Sequence, residues 1–367
     1  MDTSQKIQGA FFALIRAGLW NRELDDTTCF PLSETEWKDV WNQAVRQSVR
    51  GILYQGISLL PEEWVPSEQL MMYWMVDIER IESRNRKMNQ ALSELQQQLH
   101  VQNIHPLVLK GQGIAQFYAH PLLRECGDID LYFSHPEEEQ HAIDWVRKQG
   151  GKVVTEADGA HAYRFRGIEI EHHVRALDLF SHQIQGYLIQ LMRKQGTVPM
   201  DVDATENLSI EVLSPLVNLL SLNAHILKHI MGHGIGLRQF CDLARAYHAL
   251  QNEYDGEALR TCYERCGILR WSQLLHAFLV RQLGLPKSEL PYREERFPAT
   301  AELLDRIVND GNFGHYAQGR DIQTRKVWKR KLNTSLSFVR HCSFSFRYAP
   351  HEAIALWKNL VLGNIKS

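Results

Sequence analysis

Two aspartates, Asp128 and Asp130, stand two residues apart inside an apolar stretch of the chain. Because side chains at positions i and i+2 of a β-strand point to the same face, their carboxylates would lie about 7 Å apart along a strand. At an effective dielectric constant of about 20, two such charges repel each other by about 2 kcal/mol, and a cation between them would relieve that repulsion. Mg²⁺ binds one or two protein carboxylates together with water and phosphate oxygens. The pair is therefore the first candidate metal site.

A lysine and a glycine, Lys110 and Gly111, end the apolar strand predicted before this pair. The lysine supplies a cation, and a glycine lets a phosphate approach the main chain closely. A short helix is predicted over Gly111–Ala119, and main-chain N–H groups at the start of a helix bind anions. This turn is therefore a candidate phosphate-binding segment.

Two glutamates, Glu169 and Glu171, lie on one face of a later predicted strand, Ile168–His173. If that strand lies beside the aspartate strand, one glutamate joins the two aspartates. Spacing alone does not choose between them. Three carboxylates, a phosphate-binding turn and a lysine are the parts of metal-assisted phosphoryl or nucleotidyl transfer.

The elements predicted around these residues are a strand, a helix, the aspartate strand, a second helix, a strand and a hairpin. This order indicates an α/β unit around a small mixed sheet within an α+β protein. We predict three regions: a helical N-terminal region at 1–103, the α/β core at 104–212 and a helical C-terminal region at 213–367. Within the first, Ser33 and Glu36 have the spacing of a helix capping box.

The longest predicted helix covers Ser67–Asn103, which contains no glycine or proline. Apolar residues recur along it at intervals of three and four, and Asn85 fills one of these positions. The spacing predicts a stripe that packs inside the protein, with a short coiled coil as the alternative. The apolar members of the stripe are Ile78, Ile81, Met88, Leu92, Leu95 and Leu99.

The composition predicts a globular protein of the cytoplasm. Of its 367 residues, 44% are hydrophobic and 23% charged, and a net charge of −2 gives no general attraction to nucleic acid or acidic membranes. The six cysteines are scattered without the spacing of a disulfide framework or zinc site, which suits a reducing compartment. No apolar run is long enough for a membrane span, and none resembles a signal peptide.

The order of three motifs resembles a known family. Leu-Lys-Gly at 109–111 is followed by R-x-x-G-D-I-D-L from Arg124 and by I-E-x-H from Ile170. Across about 105–245 the chain is similar to the uncharacterised bacterial nucleotidyltransferase family of the DNA polymerase β-like superfamily. The resemblance implies a nucleotidyltransferase-like core that transfers a nucleoside monophosphate from an NTP to an acceptor hydroxyl, using Mg²⁺ or Mn²⁺.

The resemblance also implies roles for single residues. Asp128 and Asp130 would bind metal, and Glu171 would be the third acid, with Glu169 as the alternative. The resemblance further implies that the turn at Gly111 and Gln112 holds the triphosphate. Lys110 and Arg124 would meet phosphate, and His173 falls where the family has a histidine. Gln112 stands where the superfamily usually has a glycine or a small hydroxyl residue.

Two rival functions stay open. A D-x-D pair also binds metal and nucleotide-sugar in glycosyltransferases, although that fold usually begins with strands rather than about a hundred helical residues. The other rival is a catalytically degenerate nucleotidyltransferase fold that serves as a binding or regulatory protein. Gln112, which stands in place of the usual small residue, suggests this second alternative.

Two further patterns have a functional and a structural interpretation. His225, His229 and His233 recur every four residues, as metal ligands on a helix would, but buried structural histidines are the favoured interpretation. The segment at 320–347 is basic and contains aromatic residues, so nucleic acid is a conceivable partner. A solvated helix face with core aromatics is favoured there.

Overall fold

The computed structural model describes residues 2–156, 159–203, 208–232, 234–294, 296–310 and 342–362. These residues form helices, one five-stranded sheet and one two-stranded hairpin, so the predicted α+β class is confirmed. His233 and the part of the basic segment at 320–341 lie outside the described residues. Within the described residues, no helix combines the length and the apolar character that crossing a lipid bilayer requires.

The chain divides into two compact units. The sheet unit comprises 67–176 and 195–214, and the helical unit comprises 1–66, 177–194 and 215–367. The long helix after Ser67 thus belongs with the sheet. The predicted region borders at 103 and 212 stay predictions.

The sheet unit contains three helices and seven strands among its described residues. The helices, numbered in their order along the whole chain, are α4 (Glu68–Val101), α5 (Gly111–Ala115) and α6 (Pro136–Lys148). The strands are β1 (Leu107–Leu109), β2 (Ile129–Tyr132), β3 (Val154–Thr155), β4 (His161–Phe165), β5 (Ile168–His173), β6 (Thr197–Asp203) and β7 (Leu208–Leu213). The sequence predicts β1 to β5 in place and misses the β6–β7 hairpin.

The strand order of the main sheet is β1-β2-β5-β4-β3. The strand β2 runs antiparallel to β1 and parallel to β5, and β4 runs antiparallel to β5 and β3. The sheet is therefore mixed, and it places the aspartate strand directly beside the glutamate strand.

The helix α4 packs against this sheet through the apolar stripe predicted from its spacing. Met88, Leu92, Leu95 and Leu99 are fully buried there in one cluster with residues of β2 and β5. The prediction of an internal packing stripe is confirmed. The strand residues on this face are Ile129, Leu131, Ile168 and Ile170. Since side chains alternate along a strand, the acidic residues of β2 and β5 face the opposite side of the sheet.

The helical unit contains, among its described residues, α1 (Thr3–Trp20), α2 (Glu34–Gln47), α3 (Arg50–Ile57), α7 (Gln185–Gln195, whose last residue lies in the sheet unit), α8 (Pro215–Gly232), α9 (Leu237–Leu250), α10 (Gly256–Arg265), α11 (Leu269–Leu283), α12 (Ala301–Asp310) and α13 (Pro350–Leu362). A further helical stretch covers 342–348. The capping box predicted at the start of α2 is confirmed, because the Glu36 amide donates to Ser33 Oγ and the Ser33 amide donates to Glu36 Oε2.

Two glycines let α1 and α3 approach each other closely. A Cβ atom at Gly18 would lie 1.9 Å from the carbonyl oxygen of Ile52, and one at Gly56 would lie 2.1 Å from that of Leu14. Both distances are far below a van der Waals contact. The helix pair therefore packs backbone to backbone at these positions.

Candidate functional site

The parallel register of β2 and β5 brings the acidic residues together. Asp130 pairs with Glu171, and Tyr132 pairs with His173. Because Asp130, Glu171 and His173 point to the same face, one possible metal-ligand atom from each lies within 4.8 Å of the others. Among the described residues this is the one group of three such side chains close enough to share a metal ion.

The donor set of this group fits a divalent cation. Carboxylate oxygens suit Mg²⁺ and Mn²⁺, and an imidazole nitrogen is accepted by Mn²⁺ more readily than by Mg²⁺. Asp130 and Glu171 would supply the oxygens, and His173 would supply an unprotonated ring nitrogen. The residues present can therefore hold the ion that the sequence predicts.

Asp130 is the most enclosed member, with only 8% of its surface exposed. His173 Nε2 donates to its Oδ1 at 2.5 Å, and Lys110 Nζ lies 3.8 Å from its Oδ2. Burial acts to raise the pKa of the Asp130 carboxyl, but Lys110, His173 and Arg124 outweigh that effect and hold the pKa well below its usual range. Asp130 is therefore an ionised carboxylate at neutral pH.

The surroundings of Glu171 shift its pKa in the opposite direction. Its side chain is partly buried, and its Oε1 lies 3.9 Å from His173 Nε2. Burial raises the pKa of Glu171, and the neighbouring charges of Asp130 and Asp128 raise it further, against a lowering by His173 and Lys110. The two carboxyl groups thus repel each other, and a cation shared between them would relieve the repulsion.

Lys110 lies at a strained point of the main chain. Its φ is +49° and its ψ −135°, and the next residue, Gly111, also has a positive φ of +41°. For a residue with a side chain such a conformation costs about 1–3 kcal/mol. The turn between β1 and α5 is therefore held in place by its surroundings. It carries the lysine whose ammonium group faces Asp130.

Gln112, the next residue, is buried with 2% of its surface exposed. In the described part of the chain, neither the nitrogen nor the oxygen of its side-chain amide has a hydrogen-bond partner. Leaving such a buried group unsatisfied costs about 1–3 kcal/mol. The residue that departs from the superfamily pattern is thus also an unsatisfied polar group within the predicted phosphate turn.

Arg124 is buried, and its positive charge contributes to the low pKa of Asp130. Its Nη1 donates to Cys126 Sγ at 3.0 Å. That this arginine meets phosphate stays a prediction. Its positive charge helps to lower the pKa of Asp130 in the acidic cluster.

Asp128 and Glu169 lie outside the group of three ligands. Asp128 is half-buried just before β2 and is close enough to influence the pKa of Glu171. Glu169 is exposed and pairs in register with Arg164 of β4. Of the two glutamates that sequence spacing left open, Glu171 is the one near Asp130.

His173 is the functional candidate that spacing alone did not assign to the metal site. The available signal was its position two residues after Glu171 on a predicted strand, which places both on one face. His225 and His229 form no such site within the described residues; their rings contact each other at a centroid distance of 4.4 Å.

Comparisons with known proteins identify one family that matches more than half of the chain. A family model described as "Uncharacterised nucleotidyltransferase" matches residues 33–283. No curated protein matches the chain. A crystal structure of an antigenic nucleotidyltransferase-like protein from Paracoccidioides brasiliensis is similar over 55% of this chain and 93% of that one, with 14% identity and a TM-score of 0.33.

Proposed function

The chain belongs to the family of uncharacterised nucleotidyltransferases, and from this premise we propose that it transfers a nucleoside monophosphate from an NTP to an acceptor hydroxyl and releases pyrophosphate. The proposal includes membership of the DNA polymerase β-like superfamily, a bacterial source and a cytoplasmic location. The observation that carries it is the cluster of Asp130, Glu171 and His173, whose ligand atoms lie within 4.8 Å of one another.

In this proposal Asp130 and Glu171 hold Mg²⁺ or Mn²⁺, with Asp128 beside them and His173 completing the donor set. When bound, the metal would offset the charge of the triphosphate and make the acceptor hydroxyl easier to deprotonate. By the family pattern, Glu171 accepts the proton of that hydroxyl, with Glu169 as the alternative.

The phosphate groups are assigned to the turn at Lys110, Gly111 and Gln112. The ammonium group of Lys110 reaches the acidic cluster from β1, so it can pair with a phosphate oxygen placed near Asp130. Gly111 has no side chain between the turn and an approaching ligand. Arg124 adds a second positive charge on the side of the aspartate strand.

The degenerate, regulatory alternative has one observation in its favour. Gln112 replaces the small residue of the superfamily and is buried with its amide unsatisfied in the described part of the chain. A protein of that kind would lack metal-linked NTP binding. The preferred base and the acceptor are not specified by either proposal.

The test is the thermal stabilisation of the protein by ATP, GTP, CTP or UTP with Mg²⁺ or Mn²⁺. A ligand at a hundredfold excess over its Kd stabilises by about 2.7 kcal/mol. We expect one or more NTPs to stabilise the wild type only with metal, and EDTA to abolish the effect. Asp128→Asn, Asp130→Asn and Glu171→Gln should each remove it, whereas Glu169→Gln, on the same strand face but outside the cluster, should retain it.

Equal stabilisation of the wild type and Asp130→Asn would refute the proposal. Loss in Glu169→Gln but not in Glu171→Gln would move the third acid to Glu169. UDP-glucose is the control ligand, and protection by it instead of an NTP would favour the glycosyltransferase alternative. Failure of every NTP with either metal would favour the regulatory fold.

A further inference from the structure

A buried asparagine interrupts the apolar stripe of α4. Asn85 is 3% exposed, and its Nδ2 donates to the carbonyl oxygens of Leu122 at 2.6 Å and Arg124 at 2.8 Å. Most side-chain amides that are buried in an apolar stripe are stabilised by such partners, because stripping them of water is costly. The two carbonyl groups thus account for the nitrogen of a polar residue that the helical spacing leaves unexplained.

The preceding residue continues this contact along the same segment. Arg84 Nε donates to the carbonyl oxygen of Cys126 at 3.4 Å, and its Nη2 donates to that of Gly127. Two consecutive side chains of α4 therefore bind four carbonyl groups between 122 and 127. We call 122–127 the entry segment, because it leads directly into Asp128.

The entry segment has little regular structure of its own. Its first residues end a 3₁₀ turn, Pro121–Leu123, and 125–128 belong to neither helix nor strand. Backbone groups without ladder or helix partners depend on side chains to hold them. The helix α4, in contrast, is anchored on the sheet through Leu92 and Leu95, which are fully buried. The fixed helix can therefore hold the irregular segment.

We propose that Asn85, assisted by Arg84, is a positioning residue for the metal site. By fixing the entry segment it sets where Arg124 and Asp128 stand and where Asp130 enters β2. This role rests on the proposed nucleotidyltransferase function. It concerns the position of the acids and does not place Asn85 in contact with substrate.

The first test measures the position directly, by backbone hydrogen exchange at 122–131. Asn85→Leu keeps the volume but removes both donated hydrogen bonds. We expect exchange there to become about tenfold faster, in keeping with the loss of a buried hydrogen-bond partner. The matched control is Asn89→Leu, one turn further along α4. Asn89 is also buried but donates to Asp203 of β6 at 3.3 Å, so its loss should leave exchange at 122–131 unchanged.

The second test is a Mn²⁺ titration of the full-length variants followed by electron paramagnetic resonance. We expect Asn85→Leu to bind Mn²⁺ about tenfold more weakly than the wild type, a size typical of lost outer support for metal ligands. Asn89→Leu should stay within about twofold of the wild type by the same measure. A purely structural role would lower the unfolding temperature of both variants and leave Mn²⁺ affinity equal.

Arg84→Gln provides a variant that does not disturb the buried stripe, because Arg84 is exposed. Its control is Arg80→Gln, an exposed arginine of α4 that pairs with Asp77. Unchanged exchange at 122–131 in both Asn85→Leu and Arg84→Gln would overturn the positioning role. If the wild type binds no Mn²⁺, the proposed function fails, and hydrogen exchange alone then decides whether Asn85 fixes the entry segment.

Discussion

His173 Nε2 donates a hydrogen bond to Asp130 Oδ1 across the parallel strands β2 and β5, at 2.5 Å. The other oxygen of the same carboxylate lies 3.8 Å from Lys110 Nζ. The most buried acid of the candidate site is thus surrounded by cationic or donor groups of the protein itself. Each of these groups is a point at which the site can be tested.

Replacing His173 by alanine should weaken metal binding. In the free protein His173 Nε2 donates its hydrogen to Asp130, and after losing that proton it would be free to bind a metal. The change removes both possibilities, and losses of this kind cost about 10–100-fold in metal affinity. The measurement is calorimetric titration with Mn²⁺. The control is His161→Ala on β4, since His161 contacts Glu139 at 3.1 Å instead of the acidic cluster. Equal affinities of the two variants would show that His173 takes no part in the metal site.

Replacing Gln112 by leucine should leave the stability of the free protein nearly unchanged. Its amide makes no hydrogen bond in the described part of the chain, so leucine forfeits none and removes an unsatisfied group. The comparison is Gln47→Leu, because buried Gln47 donates to the carbonyl of Ile307 at 2.8 Å and accepts from the amide of Leu237 at 2.8 Å.

For Gln47→Leu we expect a loss of about 1–3 kcal/mol in the free energy of unfolding. Urea unfolding of both variants at one pH is the measurement. A large loss for Gln112→Leu would mean that its amide has partners in solution.

Replacing Gly56 by alanine should strongly destabilise the helical unit. The new Cβ would lie 2.1 Å from the carbonyl oxygen of Leu14, so α1 and α3 would have to move apart. Overpacking of this kind costs about 3 kcal/mol. Gly186→Ala is the control, since that exposed glycine of α7 has no atom within 4 Å of the added Cβ. Its helix should gain about 0.5 kcal/mol. Similar melting temperatures would contradict the close packing of α1 and α3.

The stability of the protein should carry a pH dependence from Glu352. This buried residue accepts hydrogen bonds from the amides of Phe180 and Ser181, yet burial raises its pKa from 4.5 to about 7. Between these two values the folded protein keeps a proton that the unfolded chain has released. Stability therefore falls as pH rises from about 4.5 to about 7 and then stays level, with a slope of at most about 1.4 kcal/mol per pH unit.

In the Glu352→Gln variant we expect the free energy of unfolding to lack this decrease with rising pH. Urea unfolding at pH 5, 6, 7 and 8 (about one unit apart, to cover the window) measures it. Glu257→Gln, in the first turn of α10 with a side chain 71% exposed, should behave like the wild type. If Glu352→Gln keeps the full pH dependence of the wild type, another group is responsible.

Much of the sheet unit can be predicted from the sequence because its signals are local. The turn at Arg166 and Gly167, where both residues have a positive φ, defines the β4–β5 hairpin, and alternation along the strands separates core residues from acids. The same alternation turns Asp130 and Glu171 away from the core, whereas Asp128 lies just before β2. The capping box at Ser33 is likewise set by residues three positions apart. Each of these features depends on neighbours in the chain.

The composition of the metal cluster depends on contacts between distant segments. That Glu171 rather than Glu169 lies beside Asp130 follows from the register of β2 and β5, and a shift of two residues would exchange the two glutamates. The core packing of α4 and the sheet helps to determine that register. No local spacing specifies it.

The sequence by itself thus determined which residues of each strand share a face, because side-chain alternation is a property of the extended backbone. Only the tertiary structure decided which of these faces and residues meet. It placed Lys110 within reach of Asp130 and gave Asn85 its partners in the entry segment. The physical reason is that strand register and side-chain contacts between remote segments are set by the packing of the whole sheet unit.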